Sequence, residues 1–277
     1  MANCDMDDGV KDGVIGDPLH CKFDPAELLC KAGKKTNCLS ARQVDAIRKV
    51  YSGPTTSKGE KIYTGGPLPG SELNWIPGYV SDAGVMVPWS QEYFSYVGFM
   101  PAPGPGWKPA EFDFDRDYKR IRLAESLFGA ADNPDLRKFK VAGGKLILYQ
   151  GGADESDIPT DAIDYYETTQ NTMGGRAATQ EFFRLFFVPG MNHCTGGAGA
   201  FAIDYLPYLE RWVEQGKAPD VLIGAHVKSD DYSDWTDFPV DPVKVSFTRP
   251  VYPYPLRAAY RGTGDPNDAA SFGPVNP

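Results

Sequence analysis

The sequence has no long apolar run, which limits how the chain could meet a membrane. No stretch approaches the roughly 18 consecutive apolar residues that a membrane-spanning helix needs. The first residues, MANCDMDDGV, include no apolar segment of the kind found in a signal peptide. Basic residues are outnumbered, since 28 Lys and Arg stand against 37 Asp and Glu, giving a formal net charge of -9. A chain with this charge is not expected to bind nucleic acid or an anionic membrane surface.

Cysteine and histidine are scarce, and their spacing does not fit a zinc site. The five cysteines include no C-x-x-C pair, and the three histidines do not cluster with them. Four cysteines lie within the first 38 residues, which favours disulfides, and therefore a secreted or periplasmic protein, over free buried thiols. An odd number leaves one without a partner in this chain. The five are Cys4, Cys21, Cys30, Cys38 and Cys194.

The first half of the chain has little regular periodicity. Its length of 277 residues suits one large domain or two small ones. Residues 1–40 are rich in Asp and Gly and predict loops, and 41–51 predict a short helix. Residues 52–110 are rich in Gly, Pro and aromatics, which indicates an irregular but packed region. A further helix is expected over 118–130.

The second half alternates strands and helices. KLILYQG (145–151) and FFRLFFVPG (182–190) are continuous apolar runs, typical of strands buried on both faces. Helices are expected over 159–173 and 202–216. This order predicts an α/β fold with a parallel sheet.

The last of these helices is amphipathic. Gly216 fits the position just after its end, and Pro207 either kinks it or marks its first turn. The residues expected to face the core are Ile203, Leu206, Leu209, Trp212 and Val213.

An acid and a base follow the two predicted strands. Asp154 comes after the first strand in YQGGADESDIP, and His193 after the second in VPGMNHCTGG. In open α/β sheets, functional residues lie just past the carboxyl ends of strands. The chain order Asp then His is that of α/β-hydrolases, in which the His is the general base and the Asp orients it. The sequence therefore predicts Asp154 and His193 as catalytic residues.

Other interpretations of these loops remain open. Asp154 could cap the following helix while His193 lies in a surface loop, although Asp157 is the better local N-cap candidate. Glu155 or Asp157 could replace Asp154 as the acid. Cys194 could form a dyad with His193, but adjacent side chains rarely face one another, so a disulfide that clamps the loop is favoured.

The nucleophile of such a site is absent from the sequence. No serine stands in the G-x-S-x-G context that an α/β-hydrolase uses upstream of the Asp. Ser71 in PGSEL and Ser90 in PWSQE lack the second glycine and a preceding buried strand. The chain alone therefore cannot complete a serine-hydrolase mechanism.

Blocks along almost the whole chain resemble the tannase and feruloyl esterase family. They include CDMDDGVKDGVIGDPLHCKFDPAELLC, CLSARQVDAIRKVYSGP, GGKLILYQGGADESDIP, RLFFVPGMNHCTGGAG and RPVYPYPLRAAYRGTGDPNDAASF. The resemblance implies a secreted α/β-hydrolase with a lid domain and a calcium site, acting on esters such as gallates, hydroxycinnamates or a terephthalate monoester. Asp154 and His193 match the family's catalytic Asp and His.

The resemblance also implies a domain organisation. Residues 1–135 correspond to the lid domain and 136–277 to the carboxy-terminal part of the catalytic domain, a partial α/β-hydrolase fold. The family's nucleophile segment precedes the point at which this sequence starts. In the family a cysteine just before the serine bridges to the cysteine after the His, so Cys194 is expected to lack its partner here.

The loop CDMDDGVKDGVI is the candidate calcium site. Its spacing is not that of an EF-hand, and by itself it favours a solvated Asp/Gly turn over a calcium site. The resemblance implies a Ca²⁺ ion, with disulfides Cys4–Cys21 and Cys30–Cys38 closing this loop and the next turn. The implied ligands are the carboxylates of Asp5, Asp8 and Asp12 and the carbonyls of Val10 and Val14.

Two functions of different classes follow. The first is a carboxylic ester hydrolase for a small aromatic ester, with a Ser-His-Asp mechanism whose serine lies in a separate or missing amino-terminal segment. The alternative is a non-catalytic, calcium-stabilised binding module or an inactive fragment.

Overall fold

The structure is a computed structural model that describes residues 4–34, 36–75, 88–128, 131–228 and 238–277. Within these ranges no helix combines the length and the apolar character that crossing a membrane would require.

The first half consists of helices and loops. A capping box between Ser40 and Gln43 begins the first helix, which the sequence predicts correctly. The disulfides Cys4–Cys21 and Cys30–Cys38 both form, which confirms the expected pairing. The α-helices here are α1 (Ala41–Ser52), α2 (Pro88–Tyr96), α3 (Phe114–Phe128) and α4 (Arg137–Val141), with 3-10 turns at Pro25–Leu28, Glu72–Asn74 and Pro109–Glu111.

Aromatic side chains pack the irregular region between α2 and α3. Phe94, Phe99 and Trp107 contact one another with ring centroids 5.2 to 5.7 Å apart. Arg120 of α3 lies over the Phe99 ring at 4.5 Å and pairs with the fully buried Asp117. The expected irregular, packed region is therefore present where residues are described; residues 76–87 lie outside them.

The second half contains the sheets. Parallel strands β1 (Leu146–Gly151) and β2 (Phe183–Val188) pair in register from Leu146–Phe183 to Gly151–Val188, as predicted. The helices are α5 (Pro159–Thr172), α6 (Arg176–Gln180) and α7 (Leu206–Gln215). Four further strands, which the sequence analysis did not predict, form two antiparallel pairs. These are β3 (Leu222–Val227) with β4 (Val245–Val251), and β5 (Arg257–Tyr260) with β6 (Phe272–Val275).

Strand β2 separates two apolar cores. Phe183 and Leu185 pack with Ile163 and Tyr166 of α5 in one cluster. The second cluster lies toward β3 and β4 and consists of Phe186, Val188, Met191, Phe201, Ala202, Ile203, Leu222, Val227 and Val251. Because β2 is buried from both sides, the loop that follows it starts from a fixed position.

Strand β1 differs from its prediction. It was expected to be buried on both faces, yet most of it is only half-buried, and Tyr149 is 37% exposed. The physical reason is that β1 pairs with β2 along one edge alone among the described strands. Tyr149 instead stacks on Tyr205, with ring centroids 4.3 Å apart.

Helix α7 is shorter than predicted and turns a narrower face to the core. It begins at Leu206, so Pro207 lies in the first turn and causes no kink, while Gly216 adopts the left-handed conformation with φ 67°. Trp212 is buried, but Leu206 and Val213 are 60% and 59% exposed, which corrects their assignment to the core. Adjacent helical residues differ by about 100° in direction, so Val213 turns away when Trp212 faces inward.

Replacing Trp212 by alanine should therefore destabilise the fold far more than replacing Val213. A buried Trp-to-Ala change costs about 3–5 kcal/mol, whereas an exposed position changes the free energy of unfolding by about 0.5 kcal/mol or less. Urea denaturation of Trp212→Ala and Val213→Ala measures both values. Equal losses would contradict the observed face of α7.

Candidate active site

The aspartate loop begins where β1 ends. The Ala153 amide donates a hydrogen bond to the Met191 carbonyl at 2.9 Å, so this loop is fastened to the one that follows β2. A Cβ at Gly151 would come within 2.5 Å of the Met191 and Asn192 carbonyl oxygens. Glycine at position 151 therefore allows the two loops to approach.

Asp154 is buried, and each of its carboxylate oxygens has a separate role. Oδ1 accepts hydrogen bonds at 2.9 Å from the amides of Ser156 and Asp157, which holds the loop. Oδ2 accepts from the Gln150 side chain at 3.2 Å and also faces His193. The exposed fraction of Asp154 is 3%, so its charge is stabilised mainly by these donors.

His193 lies on a tight loop after β2 and faces Asp154. Its Nδ1 is 3.2 Å from Asp154 Oδ2 and 3.7 Å from Asp157 Oδ2. The His193 side chain is 44% exposed, against 4% for the Asp154 side chain. A buried carboxylate on Nδ1 leaves Nε2 as the nitrogen able to accept a proton.

This geometry distinguishes between the interpretations of the aspartate loop. Asp154 does bond to local amides, but α5 begins at Pro159, and its N-cap position, Ile158, makes no side-chain cap. Asp157 does not cap α5 either; its carboxylate is the more distant of the two that face His193. The buried Asp154 is therefore the carboxylate best placed to orient the imidazole.

Cys194 has an exposed free thiol and no disulfide partner in this chain. Its φ of 62° is in the left-handed region, which non-glycine residues seldom adopt. No hydrogen bond links its sulfur to His193 among the described residues.

The serines singled out from the sequence do not supply a nucleophile within the described part of the chain. Ser71 is fully buried, donates to the Leu68 carbonyl at 2.7 Å and accepts from the Trp75 indole at 3.0 Å. The side chain of Ser90 lies outside the description. Within the described ranges, His193 hydrogen-bonds to Asp154 and to no serine hydroxyl.

A pair of asparagines, which sequence reasoning missed, joins the histidine loop to the first half of the chain. The Asn74 amide donates to Asn192 Oδ1 at 2.6 Å, and the Asn192 amide donates back to Asn74 Oδ1 at 3.2 Å. Asn192 directly precedes His193. The only signal in the sequence is an amide side chain in SELNW and another in GMNHC, and nothing there shows that they meet.

A cavity of about 270 Å³ lies beside this pair. Its wall includes Val14 and Ile15 from the candidate calcium loop, Leu73, and Ala153 and Ala198 from the loops that carry Asp154 and His193. A Cβ at Gly190 would come within 3.0 Å of a Val14 methyl group, so the candidate calcium loop supports the histidine loop directly.

The candidate calcium loop folds around its own aspartates. Asp5 Oδ1 accepts from the amides of Asp12 and Gly13, at 3.2 and 2.8 Å. Asp8 Oδ1 accepts from Val10 at 2.9 Å, and Asp12 Oδ1 from Val14 at 3.0 Å. These bonds use the amides of Val10 and Val14 and do not involve the carbonyls of the same residues.

The buried negative charge of this loop favours a cation, although its carboxylate oxygens do not lie together around one point. Burial, together with the neighbouring charges of Asp12 and Asp7, raises the pKa of Asp8 to about 6. Asp12 Oδ2, however, pairs with Arg249 at 2.5 Å. Among the described residues, one group of three side chains able to bind a metal has its ligand atoms within 4.8 Å of one another. It consists of Asp154, Asp157 and His193.

An acid and a base at the carboxyl ends of neighbouring parallel strands define an α/β-hydrolase-like protein. The sequence profile described as tannase and feruloyl esterase matches residues 1–97 and 108–275. The chain therefore belongs to the tannase and feruloyl esterase family.

Individual relatives are similar over nearly the whole chain. An uncharacterized esterase of Xanthomonas campestris pv. campestris is 34% identical over 98% of this chain and 52% of its own length. Mono(2-hydroxyethyl) terephthalate hydrolase of Piscinibacter sakaiensis is 33% identical over 98% of this chain and 49% of its own. The crystal structure of feruloyl esterase B from Aspergillus oryzae superimposes with a TM-score of 0.85 at 27% identity, covering 99% of this chain and 54% of that one. The chain thus spans about half the length of the relatives it matches.

Removing the asparagine pair should loosen the histidine loop. In Asn74→Ala, the half-buried Asn192 amide loses both hydrogen bonds, which costs about 1 kcal/mol or more. Hydrogen exchange should then accelerate at the amides of residues 190–199, while Val141→Ala, at a position at the end of α4 that is 89% exposed, should not change it. Unchanged exchange in Asn74→Ala would show that the pair does not hold the loop.

Proposed function

We propose that the chain supplies the acid and the base of a carboxylic ester hydrolase of the Ser-His-Asp type, acting on small aromatic esters. The observation that supports this most strongly is the contact between the His193 imidazole and the buried Asp154 carboxylate. The serine belongs to residues outside these 277, since no G-x-S-x-G stands in the sequence.

Each residue of the pair has a defined part in this chemistry. Asp154 holds the Nδ1–H tautomer, so Nε2 is free to take the proton of an attacking serine hydroxyl. His193 then returns that proton to the leaving alcohol, and later activates water to release the acid. The amides of Ser156 and Asp157 keep Asp154 oriented while the imidazolium forms.

The names of relatives support an aromatic acyl group. One is named for mono(2-hydroxyethyl) terephthalate and others for feruloyl esters. The partner proposed here is accordingly a small aromatic ester, rather than a nucleic acid or a membrane. Two disulfides in the structure support a secreted or periplasmic location.

The structural cofactor proposed is Ca²⁺, held by the carboxylates of Asp5, Asp8 and Asp12 and the carbonyls of Val10 and Val14. Two buried aspartates in one short loop, one with a raised pKa, support a cation there. When bound, the ion would neutralise this charge and stiffen the loop that carries Val14.

The alternative is a non-catalytic binding module stabilised by calcium. The absence of a G-x-S-x-G serine from the sequence favours it. It predicts binding of an aromatic ester or acid without turnover in any form of the protein.

Substitution of the pair tests the hydrolase directly. In the protein expressed from the longest reading frame that contains this chain, Asp154→Asn should lower kcat about 10,000-fold by favouring the wrong tautomer. Hydrolysis of methyl ferulate and methyl gallate is the measurement. His193→Ala should be similarly inactive, and Glu210→Gln, on the exposed side of α7, should keep full activity. Retained turnover in Asp154→Asn would contradict the proposed role.

Calcium removal tests the cofactor. Titration calorimetry should show heat on adding Ca²⁺, and a chelator should lower the melting temperature, because ligand binding stabilises the folded state by mass action. Asp8→Asn should lose both effects, while Asp45→Asn, an exposed carboxylate on α1, should retain them. Absence of heat together with an unchanged melting temperature would exclude the site.

A further inference from the structure

We propose that Asp154, Asp157 and His193 form a binding site for a transition-metal cation of the Zn²⁺ type, and that its occupation blocks the pair. The inhibitory part rests on the proposed hydrolase function; the binding part does not. In the described chain, these side chains are the trio whose ligand atoms all lie within 4.8 Å of one another.

The distances fit a tetrahedral ion. With Zn–N and Zn–O bonds of about 2.0–2.1 Å, two ligand atoms of a tetrahedral site lie about 3.3 Å apart. His193 Nδ1 is 3.2 Å from Asp154 Oδ2 and 3.7 Å from Asp157 Oδ2. The Asp157 side chain is 75% accessible, so packing does not fix its position relative to an ion.

The local charge also favours a cation. Neither the Asp154 nor the Asp157 carboxylate forms an ion pair with a lysine or arginine among the described residues. Two carboxylates therefore face one imidazole without a compensating positive charge. One imidazole with two carboxylates suits a borderline cation such as Zn²⁺, whereas Ca²⁺ takes six to eight oxygens.

Access and support are both present. Asp154 is fixed by two backbone amides, while His193 and Asp157 are open to solvent, so water can fill the fourth position. On binding, the cation takes the Nδ1 lone pair, and the ring proton that Nδ1 carried passes through solvent to Nε2. His193 is then held by the metal rather than by Asp154, and its protonated Nε2 can no longer accept the proton of a serine hydroxyl.

Two other groups on this chain could bind the same metal and serve as controls. Cys194, the exposed free thiol, adjoins His193. His20 contacts a single carboxylate, Asp17, with its Nδ1 2.9 Å from both oxygens. The chain thus contains a His–Asp pair without the second carboxylate.

Cobalt binding to the purified chain, with Ca²⁺ present throughout, tests the proposal. Co²⁺ should give the visible spectrum of a four-coordinate site without a thiolate charge-transfer band, and Zn²⁺ should displace it. Asp157→Asn should weaken binding about tenfold or more, and His193→Ala should abolish it. His20→Ala and Cys194→Ser should leave both affinity and spectrum unchanged, and thermal melting checks that each variant folds.

The result that overturns the proposal is binding that survives Asp157→Asn or His193→Ala, or that is lost in Cys194→Ser. Inhibition is measured separately in the hydrolase assay, where Zn²⁺ should reduce turnover reversibly and a chelator should restore it. A positive cobalt spectrum in a chain with no esterase activity in any form would refute the proposed function alone.

Discussion

The close contact between the two loops that follow β1 and β2 is the constraint on which the site depends. Ala153 donates to the Met191 carbonyl, and Gly151 leaves room for the backbone of the histidine loop. Because β2 is buried between two apolar cores, this contact has a rigid base. The acid and the base meet through backbone geometry first, and their own hydrogen bond follows from it.

The same arrangement of the two loops explains why the Asp154 side chain is buried while the His193 side chain is partly open to solvent. Asp154 is surrounded by its own loop and by β1, whereas His193 keeps nearly half of its side chain in solvent. Asn74 and Val14 brace the histidine loop from the first half of the chain. The region carrying the candidate calcium loop therefore contacts the loop that holds His193.

The sequence predicts the central elements because their signals are local. The apolar runs over 145–151 and 182–190 and the helix after the first of them are found almost where expected. The predictions fail where long-range contacts decide: the exposure of Tyr149 and Val213 depends on what covers them, and the Asn74–Asn192 pair joins residues 118 positions apart. Strands β3 to β6 were missed because antiparallel pairing of short, mixed segments gives no strong periodicity.

The central claim is that Asp154 and His193 are two thirds of a serine-hydrolase site. Its most direct test is to determine the coding DNA immediately upstream of Met1. The account predicts an in-frame segment with a G-x-S-x-G serine, preceded by a cysteine able to pair with Cys194. A stop codon, or in-frame sequence without such a serine, would contradict it and favour the binding module.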